Sequence, residues 1–76
     1  MIIFTEHALE KLVQRNIKKN LVLEALENPE RGVLSYGDRR ITYKKFRKLY
    51  LAVVYKVEFG DVVVITAHWV EKIKKK

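Results

Sequence analysis

Two histidines, His7 and His68, and the hydroxyl of Thr66 are the side chains of this sequence whose types and spacing point to proton-transfer chemistry. Thr66 and His68 share a parity within VVVITAHW, so a strand there projects both from one face. His7 lies in TEHALEK, in the first turn of a helix capped by Thr5, a position that suits a general base. Cations accompany these groups. Lys11 and Arg15 follow His7 at i+4 and i+8 along one helical edge. Further on, RRITYKKFRK mixes Arg40, Lys44, Lys45 and Arg47 with Tyr43 and Phe46, the combination of cations and aromatic rings that RNA contacts use. Such groups suffice for cleaving an RNA phosphodiester, because the 2′-hydroxyl is the nucleophile. The protein must position it, move protons and stabilise charge on the phosphorane.

Other chemistries find little support. There is no cysteine, and the two histidines stand far apart without an HxH or HExxH pattern, so no metal site is expected. Only three glycines occur, in or beside turns, and none forms a phosphate-cradling loop; no cofactor is expected. Sixteen Lys and Arg against nine Asp and Glu give a net charge of +7, which favours a polyanionic partner. The cations crowd into Arg39–Lys48 and Lys72–Lys76, while the acids sit mostly in the first half. No basic amphipathic helix is present to lie in a lipid surface, and no apolar run has the length of a membrane span or signal peptide. Nucleic acid in a reducing cytoplasm is therefore the expected setting, with no membrane partner.

The elements that must position these groups follow from the apolar pattern. At 76 residues a single domain over 1–76 is expected, with nearly every apolar face used. Met1–Phe4 reads as an edge strand. A helix from Glu6 to about Arg15 carries Ala8, Leu9, Leu12 and Val13 inward, Asn16 turns the chain, and a second helix to Glu27 carries Leu21, Val22, Ala25 and Leu26 inward. Asn28-Pro29 ends it. Strands are expected at Arg31–Tyr36, Arg39–Lys48, Leu49–Phe59 and Val62–Val70, joined by tight turns.

In the last two strands Leu49, Leu51, Val53, Tyr55, Val57 and Phe59, with Val63, Ile65, Ala67 and Trp69, are expected to face the core. Ile41 and Tyr43 are expected to join them, leaving Arg40 and Lys44 on the opposite face beside Thr66 and His68. The expected class is α+β: a short N-terminal strand, a helical hairpin and a four-stranded antiparallel meander. The helices cover one sheet face, and the other is open to a ligand.

FTEHALEKLVQRNI at the start and VVVITAHW at the end resemble the signature of a family of small domains similar to the RelE/ParE toxins and, more widely, to metal-independent RNases. The resemblance spans nearly the whole chain. It implies a RelE-like domain, RNA cleavage on or off the ribosome, and control by an acidic antitoxin. It matches His7, Arg15 and Thr66 to family positions, while Lys11 stands where an arginine is common. The charge distribution makes a non-catalytic RNA- or DNA-binding module a second expectation; because ParE-like relatives act on gyrase, a toxin aimed at a protein target, or an antitoxin-binding interaction domain, is a third. The oligomeric state is not specified.

Overall fold

The computed structural model describes residues 1–35 and 37–73. Its order is β1 (Ile2–Phe4), α1 (Glu6–Gln14), α2 (Lys19–Glu27), β2 (Arg31–Leu34), β3 (Arg39–Phe46), β4 (Leu49–Glu58) and β5 (Asp61–Val70). The five strands form one sheet in the order β1-β5-β4-β3-β2. β2 to β5 are an antiparallel meander, and β1 pairs parallel to β5. The fold is α+β, with both helices on one face. Tyr36, the expected end of β2, and the terminal lysines 74–76 lie outside the described residues. Among the described residues no helix is long and apolar enough to cross a membrane.

Local chemistry sets the helix ends. The Thr5 hydroxyl accepts from the Ala8 N–H at 3.0 Å and donates to the Val64 carbonyl at 3.2 Å. One side chain thus caps α1 and ties it to β5. At the other end Asn16 takes a left-handed φ of 54°, which lets its N–H reach Val13 O and the Ile17 N–H reach Leu12 O. This pair of bonds satisfies the last carbonyls and turns the chain into α2. α2 starts at Lys18 without any side-chain cap, so packing must hold it. Ala8, Leu12, Ile17, Val22 and Ala25 meet Leu51, Val53, Val64 and Ala67 in the core. Burying a side chain such as Leu51 contributes about 1.5–3 kcal/mol.

The inward stripe of α1 is narrower than expected: Ala8 and Leu12 are buried, but Leu9 is 40% and Val13 82% exposed. Each helix has only nine residues, too few to cover every apolar position.

A second difference changes the face assignments. Val54 pairs with Thr66 and Tyr55 with Val64, so Ile65 is an extra residue in β5, a β-bulge. Side-chain parity reverses there. Ala67 and Trp69 face the helices as expected, but before the bulge it is Val62 and Val64 that share their side, in place of Val63 and Ile65. The third difference concerns β3. Residues paired directly across an antiparallel ladder share a face. Thr42 pairs with Val53 and Lys44 with Leu51, so Arg40, Thr42, Lys44 and Phe46 lie on the helix side and Ile41 and Tyr43 on the other. Two-residue loops impose this register, Arg47-Lys48 between Phe46 and Leu49 and Phe59-Gly60 between Glu58 and Asp61.

Phe59 and Gly60 have φ of 51° and 82°, the paired positive angles of a type I′ turn. Phe59 is fully exposed and gains no burial in return for a conformation that a phenylalanine resists. Phe59→Asn is expected to stabilise the fold by about 0.5–1 kcal/mol, raising the melting temperature by roughly 4 °C, as thermal unfolding by circular dichroism will measure.

Candidate nucleic-acid cleft on the uncovered sheet face

The sheet face away from the helices carries Arg39, Ile41, Tyr43 and Lys45 of β3. Tyr50, Ala52, Val54 and Lys56 of β4 and Val63, Thr66 and His68 of β5 lie beside them. Tyr43 is 4% and Ala52 1% exposed although no helix lies over them. The face therefore covers its own centre with neighbouring side chains and exposes its polar margin.

At that margin a cleft of about 590 Å³ is lined by Thr5, His7, Asp38, Arg39, Lys56, Ile65 and Thr66. Each element delivers its residue for a separate reason. Thr5 ends β1 and caps α1, which aims the first turn, with His7, over the edge of β5. β1 stops at Phe4 opposite Val64, so the edge of β5 is open to α1 from the bulge onward. Arg39 and Lys56 are direct partners across β3 and β4, and Asp38 precedes Arg39 in the turn. The cleft thus gathers an imidazole, two hydroxyls, two cations and a carboxylate.

The electrostatics are mixed. Lys56 Nζ lies 2.8 Å from Glu58 Oε2. That hydrogen bond and charge raise the Lys56 pKa above its ordinary 10.5, with Asp38 adding to the effect. Lys56 therefore stays protonated at neutral pH and acts as a fixed charge rather than a base. Any stability the pair contributes is present below pH 10.5 and is lost as the pH rises through the higher folded-state value.

The expected site residues divide. His7 and Thr66 meet in the cleft. His68 shares the face of Thr66, and their i, i+2 spacing sets them about 7 Å apart along the strand. Arg15, an exposed residue, engages one guanidinium nitrogen within the fold: its Nη1 donates to Ala67 O at 2.8 Å and to Thr66 Oγ1 at 3.3 Å. It holds β5 just past the bulge and orients the Thr66 hydroxyl. Lys11 Nζ donates to Gln14 Oε1 at 3.3 Å along α1.

Arg40 and Lys44, expected beside Thr66 and His68, are on the helix side of β3, because the Phe46↔Leu49 register places them there. Lys45 takes the uncovered face, 5.7 Å from the centre of the Tyr50 ring, while its backbone N–H donates to Glu30 Oε2 at 2.7 Å. Arg47 sits in the β3–β4 loop with φ of 62°.

Sequence reasoning counted Arg39 in the cationic cluster of β3 without placing it beside His7 and Thr66, and it missed Lys56, Asp38 and Thr5 as lining residues. Lys56 already stood in the outward parity of β4. Arg39 follows once a two-residue loop fixes the β3 register. Among the described residues no three His, Cys, Asp or Glu side chains gather as metal ligands.

Residues 4–69 match the model of a family described as a domain of unknown function, DUF4258, and the chain belongs to that family. The comparisons with curated proteins and with solved structures return no match.

Arg15→Ala is expected to cost about 1–2 kcal/mol by freeing the Ala67 carbonyl and the Thr66 hydroxyl. Amide exchange should accelerate first at Ile65–Ala67, and Arg15→Lys should restore part of the loss. Glu58→Gln should bring the Lys56 titration back down toward 10.5, as NMR of the lysine side chain will record.

Proposed function

We propose that this DUF4258 chain is a toxin-type, metal-independent endoribonuclease, RelE/ParE-like in fold and activity, acting on RNA laid over the uncovered sheet face in the cytoplasm. The observation that carries the reading is the meeting of His7 and Thr66 with Arg39 and Lys56 in one cleft. The likeness of FTEHALEKLVQRNI and VVVITAHW to the RelE/ParE toxins points the same way and brings with it an acidic antitoxin as partner.

The chemistry asked of these groups is in-line attack by a ribose 2′-oxygen on the adjacent phosphorus. His7 takes the 2′ proton and the P–O5′ bond breaks. The 5′-oxygen leaves with a proton delivered by His68 or by water. The products are a 2′,3′-cyclic phosphate and a 5′-hydroxyl. Arg39 and Lys56 hold the phosphate and offset the charge that grows on its oxygens, and the Thr66 hydroxyl, oriented by Arg15, offers a donor to the same group. Arg31 and Lys45 extend the cationic margin along the strands for flanking phosphates.

Incubation of the pure protein with mRNA in EDTA, with and without ribosomes, is the direct test. Cleavage is expected, and His7→Ala should reduce it by about 10²–10⁴-fold while RNA is still bound. Arg39→Ala with Lys56→Ala should weaken binding and flatten its salt dependence. RNA bound but left intact in both settings would make the domain a binding module. Absence of RNA binding would shift the reading to a protein-directed toxin.

A further inference from the structure

A second recess lies at the other end of the β3–β4 hairpin, on the opposite face of the sheet from the His7 cleft. It has a volume of about 370 Å³ and is lined by Phe46, Arg47, Lys48, Leu49 and Trp69, within the roughly 300–1,000 Å³ range of small-ligand sites. Phe46 and Trp69 pack against the core from its edge, with ring centroids 6.3 Å apart and planes at 89°. Two perpendicular rings make a corner: a planar heterocycle can stack on one and meet the edge of the other. Leu49, 38% exposed, floors the recess without being covered.

The lip is cationic on one side only. Arg47 and Lys48 are consecutive in the loop, and among the described residues no acidic side chain lines the recess. Arg47 holds a left-handed φ of 62°, a conformation that costs an arginine about 1–2 kcal/mol and a glycine or asparagine much less. That φ is what the first position of a two-residue hairpin loop demands, and the loop so formed sets Arg47 and Lys48 together at the rim of the aromatic corner. A planar ring next to an anion is the chemistry of a nucleotide.

We propose that this recess is a nucleotide-binding subsite, taking the base of a single-stranded nucleic acid or a free nucleotide into the Phe46–Trp69 corner and its phosphate onto Arg47 and Lys48. The assignment goes beyond the cleft reading and requires no cleavage. Arg39 and Phe46 stand at opposite ends of β3, roughly 24 Å apart at the rise of a strand. The two sites therefore cannot hold the same nucleotide, and each can be tested without the other.

Trp69 is the only tryptophan of the chain, so its emission reports on the recess alone. Titration of the full chain with uridine 5′-monophosphate, and separately with a short oligouridylate, should quench it saturably, with uridine lacking the phosphate binding more weakly. Free tryptophan amide corrects for absorbance. Arg47→Asn combined with Lys48→Glu keeps a loop residue that tolerates positive φ and should weaken the nucleotide by about tenfold or more. Arg39→Ala and His7→Ala should leave the uridine 5′-monophosphate titration unchanged. The proposal is overturned if Trp69 emission does not respond into the millimolar range. It is equally overturned if the affinity survives the loop variant, or if it falls in the cleft variants instead. Cleavage lost in His7→Ala with quenching retained separates the cleft from the recess.

Discussion

The bulge at Ile65 is the constraint from which the arrangement of both faces follows. One extra residue in β5 lets Val62 and Val64 point toward the helices before it and Ala67 and Trp69 after it. Without it, whichever register was kept, half of the strand would turn valines to solvent and hydroxyl or imidazole groups into the core. The bulge lies where β1 ends and α1 takes over the edge of β5, and it is clamped from both sides. Thr5 bonds the Val64 carbonyl before it, and Arg15 bonds Thr66 and Ala67 after it. The helix that covers the core thus also fixes the geometry of the polar margin. Bulges increase local twist and re-aim side chains, and here the re-aimed side chain is Thr66.

The helix-side core is small and its boundary explains the rest. Two nine-residue helices cover the middle of β4 and β5 and part of β3. Polar groups are tolerated on the same side toward the margins of that core, Arg40 near the β2 edge and Lys44 half-buried, while the Phe46–Trp69 pair closes the core at the far end of the hairpin. The opposite face has no layer over it, yet Tyr43 and Ala52 are nearly inaccessible. The side chains of that face close over one another, so its rim is open to solvent and its centre is not.

Much of this was legible in the sequence. The α+β class, the helical hairpin, the antiparallel meander and the helices on one side follow from periodicity and from Asn16, Asn28-Pro29 and the turn residues. Thr66 and His68 on the face away from the helices followed from parity, and Thr5 as a cap from its type. What failed was face assignment wherever a single residue decides it. In β3 both parities carry a mixture of apolar and charged residues. Ile41 and Tyr43 looked more apolar than Thr42 and Phe46, and only the tight Arg47-Lys48 loop, whose length fixes register, settles the choice. In β5 VVVI is apolar on both parities, so nothing in composition marks Ile65 as the extra residue. Leu9 and Val13 were placed inward because a helical pattern reports what can be buried and not how wide the surface beneath it is.

Net charge also needs correction by structure. Read as a sum, +7 suggests a uniformly attractive surface for a polyanion. Several of the cations are engaged within the protein: Arg15 on the β5 backbone, Lys56 with Glu58, Lys19 5.0 Å from the Phe4 ring centre and Lys45 beside Tyr50. An engaged cation still attracts phosphate, but it must exchange or share a partner to do so, and that exchange offsets part of the gain. The i, i+4, i+8 edge of α1 shows the consequence most directly. As a sequence pattern His7, Lys11 and Arg15 form one cationic stripe. In the fold the same edge has an imidazole in a cleft at one end and a strut to β5 at the other. Its charge serves to align a helix with a strand through the bonds from Arg15 to Thr66 and Ala67, while His7, two turns earlier, lines the cleft.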